Sequence, residues 1–168
     1  AGPQPGNYEV TVVETNTSFV SRVAVRIIAS AATITMETVG AKWGNFLRTG
    51  EITRDELREY FEQELFFKNL TTIQQFHQGF IRTYGRNGRQ LVSQTWYEAV
   101  GNVANTLGER VYLGDAAEPQ IVAFLRDYVV RLSFFEQEAF RKGFIKGYNN
   151  VTAGTLLYEQ WWRKAKEE

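Results

Sequence analysis

A nine-residue helical pattern occurs twice in this chain, and an internal repeat constrains architecture before any local propensity is weighed. Phe76-His-Gln-Gly-Phe-Ile-Arg-Thr-Tyr84 returns as Phe140-Arg-Lys-Gly-Phe-Ile-Lys-Gly-Tyr148, sharing Phe-x-x-Gly-Phe-Ile-basic-x-Tyr at a spacing of 64. Upstream, Thr38-Val-Gly-Ala-Lys42 answers to Thr106-Leu-Gly-Glu-Arg110, Leu57-Arg-Glu-Tyr60 to Leu125-Arg-Asp-Tyr128, and Phe66-Phe67 to Phe134-Phe135, all at a spacing of 68. The anchors keep their order. The two spacings differ by four residues, close to one helical turn, so the buried face of a helix survives the change.

The segments that carry these anchors read as helices. Residues 1–16 contain Pro3 and Pro5 and predict an extended N-terminal arm. Within it, Tyr8-Glu-Val-Thr-Val-Val13 alternates like a short strand or surface strap. Thr17 or Ser18 caps an expected helix running to about Gly44, and a turn through Arg48-Thr-Gly50 follows. Thr53-Arg-Asp-Glu56 is a capping box for the next helix. That helix carries Leu57, Phe61, Leu65, Phe66, Leu70, Ile73, Phe76, Phe80 and Tyr84 at helical spacing, with Thr71-Thr72 as the site of a kink. Gly85-Arg-Asn-Gly88 closes it, and a third helix covers about 89–107. Asp115-Ala-Ala-Glu118 opens a fourth, in which Ile121, Leu125, Tyr128, Leu132, Phe135 and Ala139 form a heptad-like seam ending near Asn149. A short amphipathic helix, about 153–166, finishes the chain.

The expected fold is therefore all-α. Two duplicated helical hairpins, repeat one about 18–84 and repeat two about 89–149, would form a pseudo-twofold bundle of four long helices plus the C-terminal helix, in one helical domain over 17–168. Gly79 and Gly143 lie on apolar helix faces, where glycine costs about 1 kcal/mol relative to alanine. A repeated cost points to a use, namely the close approach of another helix or ring. Phe76, Gly79, Phe80, Tyr84, Phe140, Gly143, Phe144 and Tyr148 are thus candidate packing residues, or the walls of an apolar cleft between the repeats.

Composition excludes several functions. Acidic and basic residues balance at 19 each, so no global field attracts nucleic acid or an anionic membrane. Arginine supplies 13 of the basic residues, which favours fixed ion pairs. There is no cysteine, hence no disulfide, thiol catalysis or cysteine-ligated metal. The most apolar stretch, residues 19–39, contains Arg22, Arg26 and Glu37 and is not expected to span a membrane. Composition leaves the compartment open. The start at Ala1 is compatible with an intracellular or organellar protein after removal of a targeting segment. Asn16-Thr-Ser, Asn69-Leu-Thr and Asn150-Val-Thr match glycosylation acceptors, but such tripeptides recur by chance.

No catalytic constellation emerges. Gly50-Glu-Ile-Thr-Arg-Asp-Glu56 resembles the second half of an EF-hand loop, yet the preceding ligand positions include Leu47, which offers no side-chain oxygen. Gly85-Arg-Asn-Gly88 resembles the Gly-x-x-Gly loop of KH RNA-binding domains, whose three-stranded sheet this sequence does not encode. Gly85 aligns with Asn149, and both residue types suit a helix C-cap, the simpler account of the loop. His77 is the sole histidine and maps to Arg141 in the second repeat, which places it on a polar helix face. Glu59, Glu62, Glu64, Glu136 and Glu138 interleave with cations and read as ion-paired helix surface. There is no phosphate-binding loop, dinucleotide fingerprint or nucleophile elbow.

The sequence therefore points to a non-enzymatic interaction or scaffold subunit of a larger protein assembly, with no cofactor expected. Trp161 and Trp162, beside Arg163 and Lys164, are partner-contact candidates or a peripheral membrane anchor, and Arg82, Arg86 and Arg89 are further contact candidates. The alternative is a carrier holding a lipid or pigment in an aromatic cleft between the repeats. Nucleic-acid contact through Arg82, Arg86, Arg89, Arg141, Lys142 and Lys146 is disfavoured by the charge balance.

Overall fold

A computed structural model describes residues 35–167. The expected N-terminal arm and the first part of the expected first helix lie outside the described residues. Every regular element described is helical. The chain divides after Thr95 into two compact units.

The first unit holds α1 (Met36–Thr49), α2 (Arg54–Gln63), a 3-10 turn (Leu65–Phe67), α3 (Leu70–Tyr84) and the beginning of α4 (Gly88–Tyr112). Local chemistry sets most of the helix ends. The Thr35 hydroxyl accepts from the Thr38 N–H, and Gly50 closes α1 in the left-handed region at φ 83°. The capping box at α2 is complete: Thr53 accepts from the Glu56 N–H, and the Glu56 carboxylate accepts from the Thr53 N–H at 2.8 Å. Asn69 caps α3 through the Thr72 N–H at 2.8 Å.

The strongest packing in this unit is α1 against α3, and it is backbone on backbone. A β-carbon on Gly40 would collide with the Phe76 carbonyl, and one on Gly79 with the Glu37 carbonyl. One on Gly44 would run into Phe80 and Thr83. Thr83 sits at the same crossing and donates its hydroxyl to the Ala41 carbonyl at 2.6 Å. The rings close around this contact. Trp43 stacks on Tyr60 at 4.5 Å, and Phe61 meets Phe76 edge-on at 5.5 Å. Trp43, Leu57, Phe61, Leu65, Phe66, Phe76 and Phe80 have no exposed surface. Each such side chain contributes about 1.5–3 kcal/mol by burial, so the rings drive the collapse while the glycines decide its geometry.

The second unit holds the remainder of α4, α5 (Glu118–Phe124), a π-turn (Leu125–Val129), α6 (Phe134–Tyr148) and α7 (Val151–Lys166). Here α4 and α6 cross by the same device. β-Carbons on Gly108, Gly143 and Gly147 would collide with the carbonyls of Phe144, Gly101 and Asn105 respectively. Trp96 is buried and its indole donates to Glu136 at 2.9 Å. α7 covers α6, with Tyr158 5.3 Å from Phe144 and Trp161 edge-on to the same ring at 6.3 Å.

Several sequence expectations change. The helix expected to end at about Gly44 continues to Thr49 and begins, among the described residues, at Met36 after its cap Thr35, because Gly44 is a packing glycine and Gly50 the terminator. The helix expected from Thr53 to Tyr84 is two helices. The break falls at Glu64, whose backbone leaves helical geometry at φ −127°, and the 3-10 turn that follows places Leu65 and Phe66 fully in the core. The third helix passes Gly108, again a packing glycine, and reaches Tyr112 before Gly114 turns at φ 81°. The fourth begins at Glu118 rather than at Asp115. Ala117 has no side-chain oxygen, so only half a capping box forms, with Gln120 accepting from the Ala117 N–H at 2.9 Å. The expected heptad seam breaks at the π-turn and again at Ser133, the cap of α6, leaving Phe135 71% exposed. The final helix starts at Val151, capped by Asn150. In place of four long helices and a short one, the described residues hold seven α-helices.

Replacing Gly79 by Ala is expected to cost about 3 kcal/mol, because a rigid backbone carbonyl must give way. Gly50→Ala should cost only about 1 kcal/mol, since its β-carbon meets nothing within 4 Å and only the positive φ is strained. Urea denaturation of both variants would measure the contrast, and equal losses would refute the backbone-contact account.

Candidate interaction grooves

The repeated motif forms core. Phe76, Phe80, Phe140 and Phe144 are fully buried, each within its own unit. Tyr84 and Tyr148 are partly exposed. Tyr84 stacks on Phe80 at 5.5 Å, and Tyr148 meets Tyr112 edge-on at 5.7 Å. Gly79 and Gly143 serve the helix crossings.

Polar and aromatic side chains gather instead in surface grooves. In the first unit, α3 presents Gln74, His77, Gln78, Ile81 and Arg82 at three- and four-residue steps, and α4 faces them with Arg89, Val92 and Ser93. The groove encloses about 430 Å³, and among the described residues no carboxylate lines it. Arg82 is 61% exposed and pairs with Glu37 at 3.6 Å, a surface contact worth well under 1 kcal/mol. Arg86 stands exposed in the turn at 85–87, outside the groove lining. His77 rests 5.9 Å from the Phe61 ring, and burial pushes its imidazole down to about 4. It is therefore a neutral group at physiological pH, neither a general acid nor a fixed cation.

In the second unit a groove of about 280 Å³ runs between α6 and α7, lined by Phe134, Gln137, Glu138, Arg141, Tyr158, Glu159, Trp162 and Lys166. The tryptophan pair divides between core and surface. Trp161 enters the core at 6% exposure, while Trp162 lies over Tyr158 at 6.1 Å with the Lys166 ammonium 5.5 Å from its ring. Arg141 and Glu159 pair across the groove at 3.1 Å. Beside it, Phe134 and Phe135 stand 67% and 71% exposed, edge to face at 5.6 Å. Lys142 and Lys146 point to solvent on the same helix. A third groove, of about 610 Å³ between α5 and α7, is bridged by the Glu118–Lys164 ion pair.

The structure brings together residues the sequence left scattered. His77, Arg82 and Arg89 share one groove, whereas Arg86 does not line it. Gln74, Gln78 and Ser93 were missed. For Gln74 and Gln78 the signal was the three-to-four spacing with His77 and Arg82, which sets them on one face; Ser93 comes from α4 and had no such signal. Glu138 and Tyr158 were missed as groove residues because their neighbours come from different helices. The acceptor-like Asn69 and Asn150 use their side chains as helix N-caps. Glu56 is likewise occupied in its capping box. Among the described residues no group of three or more histidine, aspartate or glutamate side chains is placed to hold a metal ion. No described helix is long and apolar enough to cross a membrane.

The depressed His77 pKa has a definite sign. The unfolded chain binds the proton near 6.5 and the folded chain only near 4, so stability is complete above 6.5 and falls as the pH drops through that window. The loss approaches about 2–3 kcal/mol below pH 4. His77→Gln should remove this part of the acid sensitivity, read as a flatter dependence of the urea midpoint on pH. An unchanged slope would refute it. No protein-family model, curated protein or solved structure matches the chain.

Proposed function

We propose that the chain is a non-enzymatic interaction or scaffold subunit of a larger protein assembly, contacting its partner through the aromatic surface at the start of α6. The carrying observation is the Phe134–Phe135 pair. Every ring of the repeated Phe-x-x-Gly-Phe motif is at zero exposure, while these two stand more than two-thirds exposed. Two adjacent exposed rings are costly in water unless something covers them. Phe134 lines one groove with Trp162, Tyr158 and Arg141, the aromatic and arginine residue types that dominate interface cores. The apolar-carrier reading draws no support from Phe76, Phe80, Phe140 and Phe144, which are packed shut.

The same proposal includes an internal duplication of the helix crossing, slipped by one turn. Gly40 meets Phe76 as Gly108 meets Phe144, and Gly79 meets Glu37 as Gly147 meets Asn105, all 68 positions apart. The ring motif itself repeats at 64. Phe140-Arg-Lys-Gly-Phe144-Ile-Lys-Gly147 supplies the missing turn, being a tandem of Phe-x-Lys-Gly. Tyr112 explains the slip. It stands where the first crossing has Gly44, so an unslipped register would drive it into the α6 backbone. The pseudo-twofold arrangement expected from the sequence belongs to this reading as well.

Two experiments follow. Phe134→Ala/Phe135→Ala should release the chain from its native assembly, measured by native mass spectrometry of material purified from its source, with the urea midpoint nearly unchanged. A strictly monomeric parent protein would sink the proposal. For the register, Gly147→Thr should cost about 3 kcal/mol, and adding Tyr112→Gly should recover part of it. Additive losses would contradict the slip.

A further inference from the structure

We propose that the α3–α4 groove of the first unit is a second contact surface, and that it binds an acidic peptide segment of a partner protein. Charge points to the sign of the ligand. Two arginines face the groove, one from each helix, and among the described residues no carboxylate lines it. The whole chain is neutral, so this is a local concentration of positive charge rather than a share of a general one. Glu37 compensates Arg82 only from an exposed position at 3.6 Å.

The remaining lining selects a peptide over a simple anion. Gln74, Gln78 and Ser93 offer acceptors as well as donors, and His77 stays uncharged because burial holds its pKa near 4. A phosphate uses only donors and cations, whereas a peptide backbone presents both N–H and C=O groups. Ile81 and Val92 give the floor an apolar strip for a side chain. From Gln74 to Arg82 the groove follows about two helical turns, ~12 Å, which matches roughly four residues of extended chain. Arg82 and Arg89 then meet the acidic side chains, and the neutral groups meet the backbone.

The probe is a fluorescein-labelled peptide, acetyl-Asp-Glu-Leu-Asp-Glu-amide, titrated against the full chain and read by fluorescence anisotropy. Binding should weaken with added salt. Arg82→Glu and Arg89→Glu should each weaken it about tenfold or more, while Lys142→Glu in the second unit leaves it unchanged. Both arginines are exposed, so a thermal melt should confirm that the variants fold, and Arg89→Gln gives a milder version of the same test. Absence of binding at about 1 mM would overturn the proposal, as would equal affinity for the Asn/Gln analogue of the peptide. Inorganic phosphate or a single-stranded oligonucleotide displacing the peptide at equal concentration would overturn it too, by identifying a general anion surface. All these variants leave Phe134 and Phe135 in place, so failure here is distinct from failure of the aromatic contact.

Discussion

The packing of α1 against α3 depends on the absence of side chains. Gly40, Gly44 and Gly79 let two backbones touch, and the rings of Trp43, Tyr60, Phe61 and Phe76 gather around the contact. Trp43 can stack on Tyr60, and Phe76 can meet Trp43, Tyr60 and Phe61, only because the helices have come within reach. Buried polar chemistry follows the same geometry. Thr83 finds the Ala41 carbonyl across the crossing, a hydrogen bond that wider helices could not make. Burial lifts the Tyr60 hydroxyl well above its ordinary range, with Glu64 adding to the effect. It is therefore un-ionised and packs as an aromatic. The second unit uses Gly108, Gly143 and Gly147 to the same end.

This double use of glycine also marks how far the sequence could be read. The helical class, the capping box at Thr53 and Glu56, and the left-handed stop at Asn149 were legible because each depends on neighbours within four residues. The Gly40-x-x-x-Gly44 spacing is compatible with the close helix crossing that the structure shows. The expected helices nevertheless stop at about Gly44 and just before Gly108, which both helices in fact pass. Whether a glycine stops a helix or admits another one is decided by a partner distant in sequence. The break at Leu65 and Phe66 was hidden for a related reason, since periodicity tolerates one extra apolar residue without revealing that both are buried. His77 was placed on a polar face, and the structure adds that Phe61 shuts off part of its water. The groove chemistry was half visible: the α3 face could be written out from spacing, but Arg89, Val92 and Ser93 enter only when α4 folds back.

Irregular backbone positions the aromatic surface of the second unit. A π-turn widens the helix at Leu125–Val129, and the chain leaves helical geometry before Ser133 restarts it. Leu125, Val129 and Leu132 stay inside, but the register cannot continue, so Phe134 and Phe135 emerge outward. Gln137 stabilises this break by donating its amide to the carbonyls of Val130 and Leu132, at 3.1 and 2.9 Å. A side chain one turn inside α6 thus satisfies backbone that the interruption would leave bare. The exposed rings are held by a built corner.

A crossing held by backbone contact has an evolutionary consequence. Such a contact fixes residue identity at few positions, while the surrounding core positions require only apolar character and suitable volume. Lineages sharing this design could exchange most of their rings, charges and loops and still fold alike, provided the glycines stayed in step. Ancestry would then be written in intervals between glycines more than in letters. Kinship is best sought by the spacing of Gly40, Gly44 and Gly79, and of Gly101, Gly108, Gly143 and Gly147.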